Sequence, residues 1–189
     1  MRRIGLVPAV FCALGVFPSL HYGSPDDVVH RMQLPGKSWG VSVAIPGFKI
    51  EEQWTREDAS GMMISGANGE TGVVLSLYLE RESKNRSSAW CRTEYFSKAL
   101  GSPARKSMVK KWEAEALALG QYMIASVGDV KLRQMHVNAY LGKEDVCMDL
   151  HLSKASFEAA DRALFDAILS TVHVFDGSEE ETAGEGGNL

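Results

Sequence analysis

Alternating apolar and polar residues run through the middle of this chain and predict mainly β-strands. The alternation begins at Trp39 with Val41, Val43 and Ile45, and Pro46-Gly47 then marks a turn. Further on, the runs 61–65 and 73–80 flank the turn-rich residues GANGETG, which predicts a hairpin. Residues 24–38 are mostly polar, contain two prolines, and are predicted to be an irregular lead-in. One globular domain is expected over residues 39–175.

Two stretches have the periodicity of helices. Ser87 and Ser88 offer an N-cap for a helix that runs through Leu100 and stops at Gly101. A final helix is predicted to start near Phe157, with Ser156 as its cap. Apolar residues then fall on one stripe of this helix, namely Leu164, Phe165, Ile168, Leu169 and Val172.

The stretch around Trp112 is ambiguous between helix and strand. Its Ala, Leu, Glu and Lys content favours a helix, whereas the alternation of Lys110, Trp112 and Ala114 with charged residues is typical of an edge strand. Local propensity alone predicts a helix over residues 106–117. The stretch therefore stays open between the two on the pattern alone.

Residues 132–153 contain two alternating runs and predict a second hairpin. An even number of loop residues places all the large apolar side chains on one face, whereas an odd number would bury a carboxylate among them. We therefore expect an even loop with Leu141 opposite Val146. On the other face this register pairs Tyr140 with Cys147, Asn138 with Asp149, His136 with His151 and Gln134 with Ser153.

This second face carries the candidate site, formed by His136, Asn138, Asp149 and His151. Directly opposed strand residues have Cβ atoms about 4.5–5.5 Å apart. His136, Asp149 and His151 could thus supply two nitrogens and one oxygen to a zinc-like divalent metal. The same three residues could instead form a carboxylate-oriented histidine that acts as a general base. The alternative to both is a hydrogen-bonded polar face, solvated or covered by a helix.

The two ends of the chain differ in composition from its body. Met1-Arg2-Arg3 followed by the uncharged stretch 4–17 is typical of a secretory signal and is too short for a bilayer span, which predicts a signal peptide over residues 1–23. A short buried helix or strand of a cytosolic domain is the alternative. Residues 176–189 hold five acids and no base, and are predicted to be a disordered acidic tail.

Charge and cysteine content limit the classes of partner and compartment. The formal net charge is −4, and without the five acids of the tail the remainder carries +1. Such a body lacks the basic footprint of a nucleic-acid-binding protein. Without the signal, two cysteines remain, Cys91 and Cys147, which either pair in an oxidising compartment or stay as two buried thiols.

The segments RQMHVNAYLGKEDVCMDLHLSK, DRALFDAIL and WEAEALALGQ resemble a family of small exported bacterial proteins of unknown role. The order of hairpins, helix, long antiparallel strands and terminal helix also resembles the PsbP-like fold over residues 39–175. That resemblance implies an α+β fold, an α/β/α sandwich around a mostly antiparallel sheet, with a strand at Trp112. It also implies an accessory binding module, in which a helix over the polar face could bring Cys91 near Cys147.

No complete catalytic or cofactor motif occurs in the sequence. We therefore expect an exported, periplasmic or secreted, non-enzymatic binding or assembly module of the bacterial envelope. Its partner would be a protein or a small ligand, without a cofactor, without nucleic acid and without a membrane span in the mature chain. The alternative is a metal-binding protein or metal-dependent enzyme that uses His136, Asp149 and His151.

Overall fold

The computed structural model describes residues 29–45, 47–101 and 105–177. Strands dominate these ranges, and the helices are short. The elements in chain order are β1 (Val29–Met32), β2 (Trp39–Ala44), β3 (Phe48–Thr55), β4 (Gly61–Asn68), β5 (Val73–Arg81), α1 (Ser88–Leu100), β6 (Arg105–Ala114), β7 (Leu117–Val127), β8 (Val130–Lys143), β9 (Val146–Lys154), a 3-10 turn (Ala159–Asp161), α2 (Arg162–Ser170) and β10 (His173–Asp176).

The strands form two antiparallel sheets. The larger has seven strands in the order β3-β4-β5-β9-β8-β7-β6, so that β3 and β6 are its edges. The smaller has three strands in the order β1-β2-β10. Neighbours in the large sheet are consecutive in the chain except for β5 and β9, whose pairing joins the two halves. The strand order therefore places β9 at the centre.

One face of the large sheet forms the main core, which we call the apolar face. Strict alternation along β5 points Val73, Leu75, Leu77 and Leu79 to this side, where none is more than 1% exposed. Residues of the small sheet and of α2 belong to the same buried cluster. The small sheet and α2 together cover the apolar face, because its strands expose too much hydrophobic surface to remain in water.

The opposite face, which we call the polar face, is covered in part by α1. The Ser87 hydroxyl accepts a hydrogen bond from the backbone N–H of Trp90 at 3.2 Å, which caps this helix as predicted. Gly120 and Gly142 let α1 come close, since a Cβ at Gly120 would lie 2.7 Å from the Phe96 ring and one at Gly142 would lie 2.5 Å from the chain at 86–87. The helix contacts β7, β8 and β9.

The structure corrects two predicted boundaries. Residues 24–38 are not wholly irregular, because Val29–Met32 pairs with β2 and Met32 and Leu34 are buried. The last helix begins later than Phe157: Ser156 has φ +55° and cannot cap it. Instead Glu158 and Asp161 form a capping box at a 3-10 turn, and α2 follows.

The ambiguous stretch at Trp112 is a strand, β6, which ends the large sheet. The architecture is thus a mostly antiparallel sheet with two short helices, and it matches the α/β/α sandwich only in part because helices are few. The predicted signal peptide and almost all of the predicted acidic tail lie outside the described residues. Asp176, assigned to that tail, belongs to β10.

The β8–β9 hairpin keeps the predicted parity but not the predicted pairs. Its loop is the two residues Glu144 and Asp145, so Lys143 pairs with Val146 and every pair moves by two positions. Leu141 lies opposite Met148 instead of Val146. The pairing of His136 with His151 is therefore wrong. A four-residue loop would be needed for the predicted pairs, and either even number keeps the apolar residues on one face.

Candidate functional site

The predicted site residues all lie on the polar face, around the central strand β9. In the observed register His136 lies opposite Ser153, Asn138 opposite His151, Tyr140 opposite Asp149 and Gly142 opposite Cys147. On the other side of β9, Ser76 lies opposite His151 and Tyr78 opposite Asp149. Gln134 lies opposite Ile124 of β7 and has no partner on β9.

The two histidines meet diagonally across β8 and β9. His136 Nδ1 and His151 Nε2 are 2.8 Å apart, so one of these nitrogens donates a hydrogen bond to the other. Their rings are nearly parallel with centroids 5.1 Å apart, and Tyr122 stacks on the other side of His136 at 4.6 Å. Three aromatic rings thus form a continuous stack across β7, β8 and β9.

The environment keeps the histidine pair neutral at pH 7. Burial lowers the pKa of His136 to about 4, and the positive charges of His151 and Lys106 act in the same direction. Burial likewise lowers the pKa of His151 to about 4. Neutral imidazoles can share one hydrogen bond, whereas two imidazolium ions would repel each other.

This geometry does not favour the predicted zinc-like site. Two nitrogens bound to one tetrahedral zinc would lie roughly 3.3 Å apart, given Zn–N bonds of about 2.0–2.1 Å. The 2.8 Å separation of His136 and His151 is that of a hydrogen bond. Among the described residues, no group of three or more His, Cys, Asp or Glu side chains could hold a metal ion.

Asp149 is held apart from the histidines by Asn138. The Asn138 amide Nδ2 donates to Asp149 Oδ1 at 3.2 Å. Burial raises the pKa of Asp149 to about 6, the hydrogen bond from Asn138 opposes this shift, and the negative charge of Glu80 adds to it. A general-base role together with a histidine is not favoured, since no hydrogen bond joins Asp149 to either imidazole within the described residues.

Three successive polar-face residues of β8 each contain a buried polar atom without a hydrogen-bond partner among the described residues. These atoms are His136 Nε2, Asn138 Oδ1 and the Tyr140 hydroxyl. Leaving a buried donor or acceptor unpaired costs about 1–3 kcal/mol, so such groups call for an explanation. Asn138 and Tyr140 lie beside Asp149, which lines a cavity of about 210 Å³ together with Tyr78, Glu80, Tyr95 and Cys147.

The two cysteines lie between the polar face and α1. Cys91 and Cys147 form a disulfide, with the two Cα atoms 5.8 Å apart. Cys91 is fully buried and Cys147 is 2% exposed. The bond fastens α1 to β9 beside Tyr140, so the structure has the two cysteines paired instead of as two buried thiols.

A second candidate surface lies on the other side of the sheet, between its edge and α2. Trp112 separates two cavities of about 530 and 630 Å³, which we call together the Trp112 groove. The guanidinium of Arg162 lies over the Trp112 ring at 5.4 Å and donates to Gln121 Oε1 at 2.6 Å. The remaining lining is mainly apolar and includes Met108, Leu117, Leu119, Met135, Phe157, Leu169 and Val172.

The sequence-based prediction missed Tyr78, Tyr95 and the Trp112 groove. Tyr78 approaches Asp149 through the pairing of β5 with β9, which are far apart in the chain. Tyr95 reaches the same cavity from α1. The alternation of Lys110, Trp112 and Ala114 was the one available signal for the groove.

Comparison with known proteins supports the fold and assigns no activity. No protein-family model matches the chain, and no curated protein matches it. The solution structure of cyanobacterial PsbP (CyanoP) from Synechocystis sp. PCC 6803 is similar with a TM-score of 0.50 and 14% identity, covering 86% of this chain and 99% of that one. A PsbP-like fold is therefore supported at the level of fold alone.

Two other solved structures are similar at lower TM-scores. The Ran-binding protein Mog1p of Saccharomyces cerevisiae gives 0.47 with 14% identity, over 80% of this chain and 98% of that one. A Bacteroides thetaiotaomicron VPI-5482 protein gives 0.46 with 9% identity over 73% of this chain, which spans only 46% of its length. Within the described residues, neither helix has the length and apolar character needed to cross a membrane.

Proposed function

We propose that this chain is an exported, non-enzymatic binding module of the bacterial envelope and that it binds an extended segment of a protein partner in the Trp112 groove. The observation that carries the proposal is an apolar surface that the described residues leave uncovered, beside a strand edge with which none of them pairs. Together the two cavities exceed 1,000 Å³, and the groove follows β6 from Met108 to Ala114. Those seven residues span about 20 Å, which suits an extended peptide.

The edge strand offers backbone pairing to such a peptide. Among the described strands β6 pairs only with β7, so the N–H and C=O groups of its outer side face away from the sheet. The register of β6 is irregular between Ser107 and Lys110, and Met108 there has φ +52° and is 52% exposed. Regular pairing is therefore expected from Lys110 onwards, as in the addition of a strand to a sheet edge.

Charge defines the chemistry of the partner. Lys110, Lys111 and Arg162 line one end of the groove, and Glu115 and Asp166 line the other end. Opposite charges on adjacent strands stabilise their pairing. We therefore expect a segment with acidic residues at the end that meets Lys110. Large apolar residues at alternate positions would enter the cavities on either side of Trp112.

Selection from a displayed random-peptide library tests this proposal. Binders should be enriched in acidic and apolar residues, and NMR shift changes should map to β6 and α2. Trp112→Ala and Lys110→Glu should weaken the selected peptides at least tenfold. Trp54→Ala on β3, the opposite edge, is the matched control and should leave binding unchanged. Binders that map to β3, or that tolerate Trp112→Ala, would contradict the proposal.

A further inference from the structure

The cavity at Asp149 lies on the polar face, where the cover provided by α1 ends. Asp149 stands between Tyr78 of β5 and Tyr140 of β8 in adjacent pairs of the sheet. Tyr95 enters from α1, and its hydroxyl donates to Glu82 Oε1 at 2.7 Å. The cavity is lined by Tyr78 and Tyr95, by the carboxylates of Asp149 and Glu80, and by Cys147.

The charge of Asp149 is not balanced by the described part of the chain. Its one hydrogen bond there comes from the neutral Asn138 amide, and it forms no salt bridge with the described residues. The neighbouring acid Glu80, in contrast, is bound by Arg56 at 2.6 Å. A carboxylate in this position is unfavourable unless a cation accompanies it.

Two residues of β8 beside Asp149 are also buried, and each has a polar side-chain atom that lacks a partner in the described part of the chain. Asn138 is 4% exposed and Tyr140 is fully buried, yet Asn138 Oδ1 and the Tyr140 hydroxyl have no partner among the described residues. Asn138 holds the carboxylate, and Tyr140 lies directly across from it in the sheet. Neither atom lines the cavity, so the unbalanced carboxylate of Asp149 is the group that calls for a ligand with positive charge.

We propose that this cavity binds a small primary ammonium ion, with Asp149 as its counter-ion and Tyr78 and Tyr95 as its aromatic walls. A primary ammonium carries one positive charge and three donors, and cations bind favourably against tyrosine rings. At about 210 Å³ the cavity is smaller than a drug-sized site and admits a short alkyl amine or the end of a lysine side chain. This site lies on the opposite face of the sheet from the Trp112 groove. A negative binding experiment at one of the two sites therefore leaves the proposal for the other unchanged.

The pH dependence follows from the groups that face Asp149. They are Tyr78 and Glu80 from β5, Tyr140 and Asn138 from β8, Tyr95 from α1, and His151 two residues along β9. Burial raises the pKa of Asp149 to about 6, so the carboxylate is mostly charged at pH 7.5 and mostly protonated at pH 5. Affinity for a cation should therefore fall about tenfold between these two values.

Titration of the full chain with n-butylammonium, followed by NMR at pH 7.5, tests the site. Amide shifts should saturate around residues 78, 95 and 149, while n-butanol should cause no saturable change there. Asp149→Asn should weaken binding at least tenfold, and Tyr78→Leu several-fold. Asp161→Asn, a remote acid paired with Lys154, should have no effect.

A second probe, a peptide with one internal lysine, distinguishes a partner's side chain from a free amine. Binding of the peptide as tightly as butylammonium assigns the site to a protein lysine, and binding of butylammonium alone assigns it to a free amine. The proposal is overturned if folded wild-type protein shows no saturable shifts with either probe. It is also overturned if Asp149→Asn binds as well as wild type, or if n-butanol binds equally.

Discussion

The two faces of the large sheet are built from the same strands but are covered in different ways. On the apolar face, 25 buried hydrophobic residues of the described ranges, mostly from both sheets and α2, form one cluster. On the polar face, the cluster under α1 has six such residues, and a disulfide joins two of them. The apolar face supplies most of the hydrophobic stabilisation, and the polar face can therefore keep buried polar groups that cost stability.

The largest expected effect comes from the apolar face at the centre of β9. Leu150→Ala removes a fully buried side chain and should lower the free energy of unfolding by about 2–5 kcal/mol. Ser76→Ala, on the polar face of β5, is the matched control and should change it by less than about 0.5 kcal/mol. Urea denaturation of both variants checks the comparison. Similar losses for the two variants would mean that the polar face is as tightly packed as the apolar one.

The next effect tests how α1 is fixed to the polar face. Replacing both cysteines, Cys91→Ala with Cys147→Ala, should cost about 2–4 kcal/mol, because the bond closes a loop with a sequence separation of 56. Reduction of the wild-type chain with dithiothreitol should produce a similar loss. Equal stability of the oxidised and reduced wild type would show that packing at Phe96 and Tyr140 holds α1 without the bond.

Local patterns predicted the elements whose structure depends on neighbouring residues in the chain. Alternation along β5 and β9 fixed which side chains are buried, and the Ser87 cap and Gly101 marked α1. The start of α2 was wrong by several residues, because the backbone of Ser156 leaves the helical region and Glu158 supplies the capping box. That choice depends on turn geometry which the apolar stripe does not encode.

Contacts between distant segments decided the features that the sequence left open or predicted wrongly. The alternation of apolar and polar residues requires an even number of residues in the β8–β9 loop and so allows either two or four. In the two-residue loop, the backbone carbonyls of Asp145 and Glu144 accept hydrogen bonds from the backbone N–H groups of Glu82 and Arg86. Lys37 forms ion pairs with the side chains of both loop residues. Trp112 lies in a strand although its segment has helical propensity, because pairing with β7 overrides that propensity.

The candidate site shows the same division. Alternation placed His136, Asn138, Asp149 and His151 on one face, and the structure brings them together there. The diagonal contact between the histidines follows from the two-position shift in register. The cavity at Asp149 needs the pairing of β5 with β9 and the approach of α1, neither of which leaves a pattern within a single segment.

The smallest expected effect concerns the cost of keeping the histidine pair neutral on the polar face. The pKa values of His136 and His151 are lowered to about 4 in the folded chain, against an ordinary value of 6.5. Between these values the unfolded chain binds more protons, so this pair lowers stability as pH falls from about 6.5 towards 4. Asp149 has a raised pKa, so below pH 6 it increases stability as pH falls. This contribution is the same in the wild type and in a histidine variant, so it does not affect their comparison.

His151→Gln keeps a hydrogen-bonding group beside His136 and removes one titrating ring. Between pH 7 and pH 5 the wild type should lose about 2 kcal/mol more of its free energy of unfolding than this variant does, as measured by urea denaturation at each pH. His173→Gln, at an exposed position of β10, is the matched control and should follow the wild type. If His151→Gln follows the wild type as well, the pair takes up protons in the folded state without cost. The polar face would then be open to water at the histidines, and its buried hydrogen bond could not be what keeps the two rings together.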